Sequence, residues 1–258
     1  MKIHHEELSD VRRYLETYKT IPLSKQKGVY QGIINAVRRY KPLDANTKII
    51  EIGTGTGWFL LFCTLDGLQC RGIEISPQLI ARAKEIAAEY NVNPDIELGN
   101  LEETDLGSEQ YDVAICSNVF EHVEFWREGL RKVTKCLKPG GLLFFESTNK
   151  FSLTSGEYPK FPLYGWLPNT WRYKLRMAAQ GDDIMSLGID FHQFRHSTLR
   201  KEFEKNGYRT ILDRVEMADE SAVSSDFRKW AVRWSRRLPP VKAAALEFAE
   251  ATRFICLK

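Results

Sequence analysis

The sequence predicts an α/β fold, a doubly wound and mostly parallel sheet with helices on both faces. Three observations carry that prediction. The stretch Lys48 to Leu60, KIIEIGTGTGWFL, reads as a short buried strand, three glycines at alternate positions and an apolar helix start. A second apolar strand ends in a carboxylate, Glu74, about twenty residues on. Strand-like and helix-like segments then alternate as far as LKPGGLLFFES, as a parallel sheet with crossover helices requires.

Taken in order, Met1 to about Leu43 reads as an N-terminal helical cap of two helices joined at Pro22, with Tyr14, Tyr18 and Tyr30 among basic residues. Ordinary packing helices fit that segment equally well. The main domain follows, residues 44–258. Its first strand places Ile49, Ile50 and Ile52 inward and Glu51 at its end, before Gly53, Gly55 and Gly57. After Glu74, Ser76 suits a helix cap and Pro77 the first turn, with Leu79, Ile80, Ala83, Ile86, Ala87 and Tyr90 as the buried stripe. A third short strand precedes ELGNLEETDL, and YDVAICSNVFEHV carries the fourth. The helix after His122 buries Leu130, Val133 and Leu137 and stops at Lys138-Pro139-Gly140-Gly141. Beyond the fifth strand lies an insert, Asn149 to about Asp190, rich in aromatics, prolines and glycines. A helix from Ser197, with Leu199 and Phe203 inward, ends at Asn206-Gly207; strands near Tyr208–Val215 and Thr252–Leu257 finish the sheet.

Composition narrows the function classes. A chain of 258 residues buries a large single core. A net charge of +3 does not by itself argue for a polyanionic partner. The N-terminus MKIHHEELSD lacks a signal-peptide apolar stretch and no 18-residue apolar run occurs, so the expectation is a cytoplasmic protein. Cys63, Cys70, Cys116, Cys136 and Cys256 are scattered and odd in number, which reads as reduced core thiols. No clustered His, Cys and carboxylate spacing points to a metal site.

The glycine loop is a site for a small polar cofactor at the carboxyl edge of the sheet. A dinucleotide fingerprint would need a small residue where Trp58 or Leu60 stands, and a P-loop would need Gly-Lys-Ser/Thr. The remaining pattern, Glu-x-Gly-x-Gly-x-Gly from Glu51, resembles the first motif of the class I S-adenosylmethionine-dependent methyltransferases. Glu74, Asn100-Leu101 and the Ser117–His122 segment stand in the order of that family, nearest its small-molecule members such as the ubiquinone-biosynthesis O-methyltransferases. The resemblance spans about residues 48–149 and implies a Rossmann-like sheet of seven strands in the order 3-2-1-4-5-7-6, the last antiparallel. It implies S-adenosyl-L-methionine as cofactor. Glu51 would approach its amino group, Gly53, Gly55 and Gly57 would run along it, and Glu74 would hold the ribose. Asn100 and Leu101 would bracket the adenine, and Ser117 would line the methionine end.

The acceptor is less legible. Ser117-Asn118-Val119-Phe120 replaces the Asn/Asp-Pro-Pro-Tyr motif of exocyclic-nitrogen methylation, so that chemistry is disfavoured. A hydroxyl acceptor benefits from a general base. His122, at the mouth of the expected site, and His192, in DFHQFRH, are the candidates, against backbone-bonded or lid-anchoring roles. The insert reads as a substrate lid, with Tyr158, Tyr164, Trp166 and Trp171 as contact surface and a core, FSLTSGEYPKFPLYGWLPNTWRY, that is poor helix material; a structural satellite core or an oligomer contact is the alternative. The expected function is methyl transfer to a small or medium-sized molecule at oxygen. The alternatives are a nitrogen, carbon, sugar or prenylated-ring acceptor, or a non-catalytic cofactor-binding partner protein. Separately, Phe227, Trp230, Trp234 and Leu238 form a helical stripe with Arg228, Arg233, Arg236 and Arg237 largely elsewhere. That basic amphipathic helix, residues 226–238, suits a weak membrane-surface contact or a face packed on the domain. No nucleic-acid module accompanies it, and the oligomeric state is open.

Overall fold

The computed structural model describes residues 15–16, 19–154, 161–180, 191–218 and 226–258. Seven strands form one sheet: β1 Lys48–Ile52, β2 Gln69–Glu74, β3 Asp95–Leu98, β4 Tyr111–Ser117, β5 Leu137–Thr148, β6 Thr210–Asp213 and β7 Ala251–Leu257. Their order is β3-β2-β1-β4-β5-β7-β6, as the resemblance implied. β1 pairs in parallel with β2 and β4, β4 in parallel with β5, and β7 runs antiparallel to both β5 and β6. Parallel strands joined by crossover helices put the carboxyl ends of β1, β2 and β4 on one edge, where the chain turns into loops.

The helices are α1 Leu23–Arg38, α2 Trp58–Leu65, α3 Pro77–Ala88, α4 Trp126–Cys136, α5 Asn169–Gln180, α6 His196–Lys205, α7 Arg214–Met217, α8 Asp226–Arg237 and α9 Pro239–Glu247. On one face Tyr30, Ile34, Val37, Phe59 and Phe62 pack with Ile49, Val113, Phe144 and Ile255. Tyr30 O–H also donates to Asp66 at 2.8 Å, so α1 is built into the core by packing and one hydrogen bond. Tyr14, Tyr18, His4 and His5 lie outside the described residues. On the other face Leu130, Val133, Phe145, Phe194, Leu199, Phe203 and Phe254 form a second core.

Local expectations hold at α3, where Ser76 Oγ accepts from Leu79 N–H and Pro77 opens the helix. Tyr90 does not join its stripe: α3 ends at Ala88, and Tyr90 is exposed. The helix does stop before Lys138-Pro139-Gly140-Gly141, at Cys136, but the stretch is no separate turn: it lies within β5, which begins at Leu137, with Gly140 at φ +71°. The insert contains more helix than its aromatics suggest. Past Pro168, the run Arg172-Tyr173-Lys174-Leu175-Arg176-Met177-Ala178 is made largely of good helix formers, and α5 forms there. Four of the five cysteines are buried, Cys70 is half-buried, and all are free thiols.

Candidate active site

The loop after β1 takes the shape its glycines permit. Gly53, Gly55 and Gly57 sit at φ +70°, +57° and +72°, in the left-handed region that costs a residue with a Cβ about 1–2 kcal/mol. Two of them also allow close approach. A Cβ on Gly53 would stand 2.5 Å from Val119 Cγ2, and one on Gly57 2.6 Å from Ala83 Cβ. The loop is thereby pressed between α3 and the segment after β4. Gly53 N–H and Thr54 N–H both donate to Ile73 O, at 2.8 and 3.2 Å, which fixes the loop to β2.

Two carboxyl groups converge beneath it. Glu51 is buried, and Thr54 O–H donates to its Oε2. Burial pushes the Glu51 carboxyl up to about 8; the Thr54 bond opposes that, and neighbouring Glu74 adds to it. Glu74, also buried, accepts from Gly55 N–H at 2.7 Å and from Ser76 N–H at 3.0 Å. Burial raises its carboxyl, while the N–H groups of Gly55, Ser76 and Ile75 and the nearby His122 pull it down. With three N–H groups around it, the Glu74 carboxyl still has room for about one further donor. Beside them Thr56 Oγ1 is buried without a hydrogen-bond partner. Two desolvated carboxyl groups and an orphaned hydroxyl fit a group that brings a cation and hydroxyl donors, as an α-amino acid joined to a ribose does.

The loop after β3 is preorganised. Asn100 is buried, and its Oδ1 accepts from Glu102 N–H at 3.0 Å. Its carbonyl accepts from the N–H groups of Glu103 and Thr104, and Leu101 is buried in the core. Lys132 of α4 fastens this loop: Nζ donates to the carbonyls of Leu101, Glu102 and Thr104 at 3.3, 2.6 and 3.1 Å. Glu102 Oε1 accepts from Phe125 N–H at 2.6 Å. Ser117, half-buried, ends β4 opposite Glu146 of β5.

His122 closes a single 3-10 turn, Phe120–His122, and is half-buried, near enough to Glu74 to lower its carboxyl. The preceding Glu121 is almost fully buried and accepts from Ser147 O–H at 2.6 Å. His192 is tied differently. Its Nε2 lies 2.9 Å from Glu124 O, which can only accept, so that nitrogen carries the proton. The His192 N–H donates to Glu121 O, and its carbonyl accepts from Thr148 O–H. Its ring packs near Trp126 and Phe194, and burial depresses its imidazole below the ordinary value, the Glu124 carbonyl opposing.

The structure therefore gathers Glu51, Gly53, Gly55, Gly57, Glu74 and His122 into one neighbourhood. It does not gather the lid aromatics. Tyr164 is fully buried with Arg172 over its ring, Trp166 stacks on Phe248 at 6.1 Å, and Trp171 is 65% exposed; Tyr158 lies outside the described residues. Sequence reasoning missed Thr54, Thr56 and Lys132. The threonines alternate with the glycines and were readable as hydroxyls in a cofactor loop; Lys132, on a helix thirty residues downstream, carries no local signal. Among the described residues no group of three or more His, Cys, Asp or Glu could hold a metal ion.

Comparison with known proteins agrees with this geometry. Residues 25–212 match the family model described as a methyltransferase domain. The chain is 28% identical over 148 residues to a ubiquinone biosynthesis O-methyltransferase of Rickettsia bellii, covering 55% of this chain and 60% of that protein. It is 24% identical over 196 residues to the enzyme of the same name from Coxiella burnetii, covering 74% and 76%. The chain thus spans about three-fifths of the length of the Rickettsia relative. Among solved structures, an S-adenosylmethionine-dependent methyltransferase from Mesorhizobium loti superposes with a TM-score of 0.57 at 18% identity, over 87% of this chain and 96% of that one. The phosphoethanolamine N-methyltransferase 2 of Haemonchus contortus, in complex with phosphomonomethylethanolamine and S-adenosylhomocysteine, gives 0.56 at 14% identity, over 88% and 52%. These structural likenesses bear on the fold.

Proposed function

This chain belongs to the methyltransferase-domain family, among the class I S-adenosylmethionine-dependent methyltransferases, and from that premise we propose that it methylates an oxygen of a small or medium-sized acceptor. The observation that carries the reading is the position of His122, a titratable side chain at the rim of a pair of buried carboxyl groups. The names of the Rickettsia and Coxiella relatives support oxygen as the acceptor atom.

S-adenosylmethionine, when bound, supplies an electrophilic methyl group on a sulfonium. The chain's residues would do the rest. Glu51, its proton passed to solvent, would face the cofactor's ammonium, Glu74 would accept from the ribose hydroxyls, and Thr56 Oγ1 would gain a polar partner. Asn100 and Leu101 would hold the adenine, in a loop that Lys132 ties down through three carbonyls. His122 takes the acceptor's hydroxyl proton at an imidazole nitrogen, while His192, with Nε2–H committed to Glu124 O, anchors the segment after the lid. In-line displacement asks the protein to align the acceptor and exclude water.

The test is transfer of a radiolabelled methyl group from S-adenosylmethionine to a panel of catechols, phenols, amines and sugars. Turnover with catechol or phenol acceptors is expected. His122→Gln should lower kcat by roughly 10²–10⁴-fold, the usual worth of a general base, with S-adenosylhomocysteine affinity unchanged. Transfer to amines alone, or full activity of His122→Gln on phenols, would refute the assignment.

A further inference from the structure

We infer that the outer face of α8, with the turn into α9, docks on an anionic lipid surface. A helix that packs on a domain turns its large apolar side chains inward. α8 does the reverse. Trp230 is 55% and Trp234 41% exposed, their rings 5.9 Å apart, whereas Ser235 on the opposite side is only 5% exposed. Arg236, beside Ser235, faces the domain and donates to the carbonyls of Val215, Glu216 and Ala218. At the helical step of 100°, Arg233 and Arg237 fall on the same outward side as the two tryptophans, and both are exposed.

Further large apolar side chains are exposed beyond the helix. Leu238 and Val241 are exposed at the α8–α9 turn, and Phe248, exposed after α9, stacks on the lid residue Trp166. Exposed apolar surface on this scale marks a contact. Charge chooses the partner. Residues 226–237 carry five Lys or Arg against one acidic residue, although the whole chain is only +3; Lys242, beyond them, is paired with Asp213 and Glu216. Tryptophans settle at the headgroup level of a bilayer, and arginines beside them meet anionic lipids. The described helices are all too short or too polar to cross a membrane, so the contact lies in the interfacial plane.

The test is co-sedimentation of the full chain with sucrose-loaded vesicles of equal parts phosphatidylglycerol and phosphatidylcholine, with pure phosphatidylcholine as the comparison. Wild type should sediment with the anionic vesicles and be released at roughly 0.5 M salt, where the screening length falls to a few Å. The double variant Trp230→Ser/Trp234→Ser should weaken partitioning on the order of tenfold. Arg233→Glu/Arg237→Glu, which leaves the tryptophans in place, should weaken it as well. Both should keep the melting-temperature shift with S-adenosylhomocysteine, so the result stands apart from any test of methyl transfer. Wild type left in the supernatant would overturn the inference, as would equal binding to phosphatidylcholine alone. So would a dimer, measured by light scattering, that the tryptophan variant dissolves without any vesicle binding: the face would then belong to a second copy of the chain.

Discussion

The carboxyl of Glu51 offers the sharpest prediction, because its proton is linked both to folding and to cofactor binding. Burial lifts it from an ordinary 4.5 to about 8. The sign follows from linkage. The folded state holds this proton more tightly than the unfolded chain, so the group stabilises the fold fully below 4.5 and loses that contribution as pH rises through 8. With those two values the loss between pH 6 and pH 8 is about 2 kcal/mol, since each unit of pKa shift is worth 1.36 kcal/mol. For a chain of this size that corresponds to a fall in Tm of roughly 4–8 °C. A bound ammonium reverses the preference for the neutral form. At pH 7 binding of S-adenosylhomocysteine should therefore release close to one proton, and its affinity should rise about tenfold per pH unit from pH 6 until it levels near 8.

Two assays read this out. Scanning calorimetry from pH 6 to 8 gives the stability of the free protein. Titration calorimetry in buffers of different ionisation enthalpy gives the protons released. Glu51→Gln should flatten both profiles while weakening the ligand. The reasoning is refuted if wild type releases no proton at pH 7, or if Glu51→Gln retains the wild-type pH dependence of affinity.

Three further outcomes follow from the same geometry. Glu74→Gln removes the charge that holds Gly55 and Ser76 and would meet the ribose hydroxyls; S-adenosylhomocysteine should bind about 10–150-fold more weakly by titration calorimetry, the worth of a charged hydrogen bond. Lys132→Met frees three carbonyls of the Leu101–Thr104 loop and should raise the same dissociation constant at least about fivefold while leaving kcat at saturation near wild type. Gly57→Ala and Gly67→Ala make a matched pair, for both sit at φ +72° but only Gly57 would put a Cβ 2.6 Å from Ala83. Urea unfolding should show a loss of about 1–2 kcal/mol at Gly67 and visibly more at Gly57.

Legibility in the sequence followed the range of the forces involved. The strand, the glycine turn and the capped helix from Ser76 are set within a few residues, so Ile49–Gly57 and Ser76–Ala87 could be read directly. Glu51 and Glu74 were readable as strand ends because the backbone alone places them. Lys132 could not be read, since its three acceptors lie across α4 and only the packed fold brings them within reach. The insert's aromatics part ways for the same reason. Its aromatics look like a binding surface in one dimension, but Tyr164 is drawn into the interior under Arg172 while Trp166 finds Phe248, a residue from the far end of the chain. The α8 stripe was visible as a pattern; which side of the helix it occupied was a tertiary matter.

Lys132 and Trp126 sit on the same helix, Trp126 at its first position and Lys132 in its second half. Lys132 grips the loop expected to hold the adenine; Trp126 packs near the His192 ring. A rigid rod of eleven residues does not move at one end only. Settling of the purine loop would be felt by the histidine, and disturbance of the lid would loosen the grip on the cofactor. By linkage such a coupling is equal in both directions, so whatever one end gains from the other is returned by the same factor.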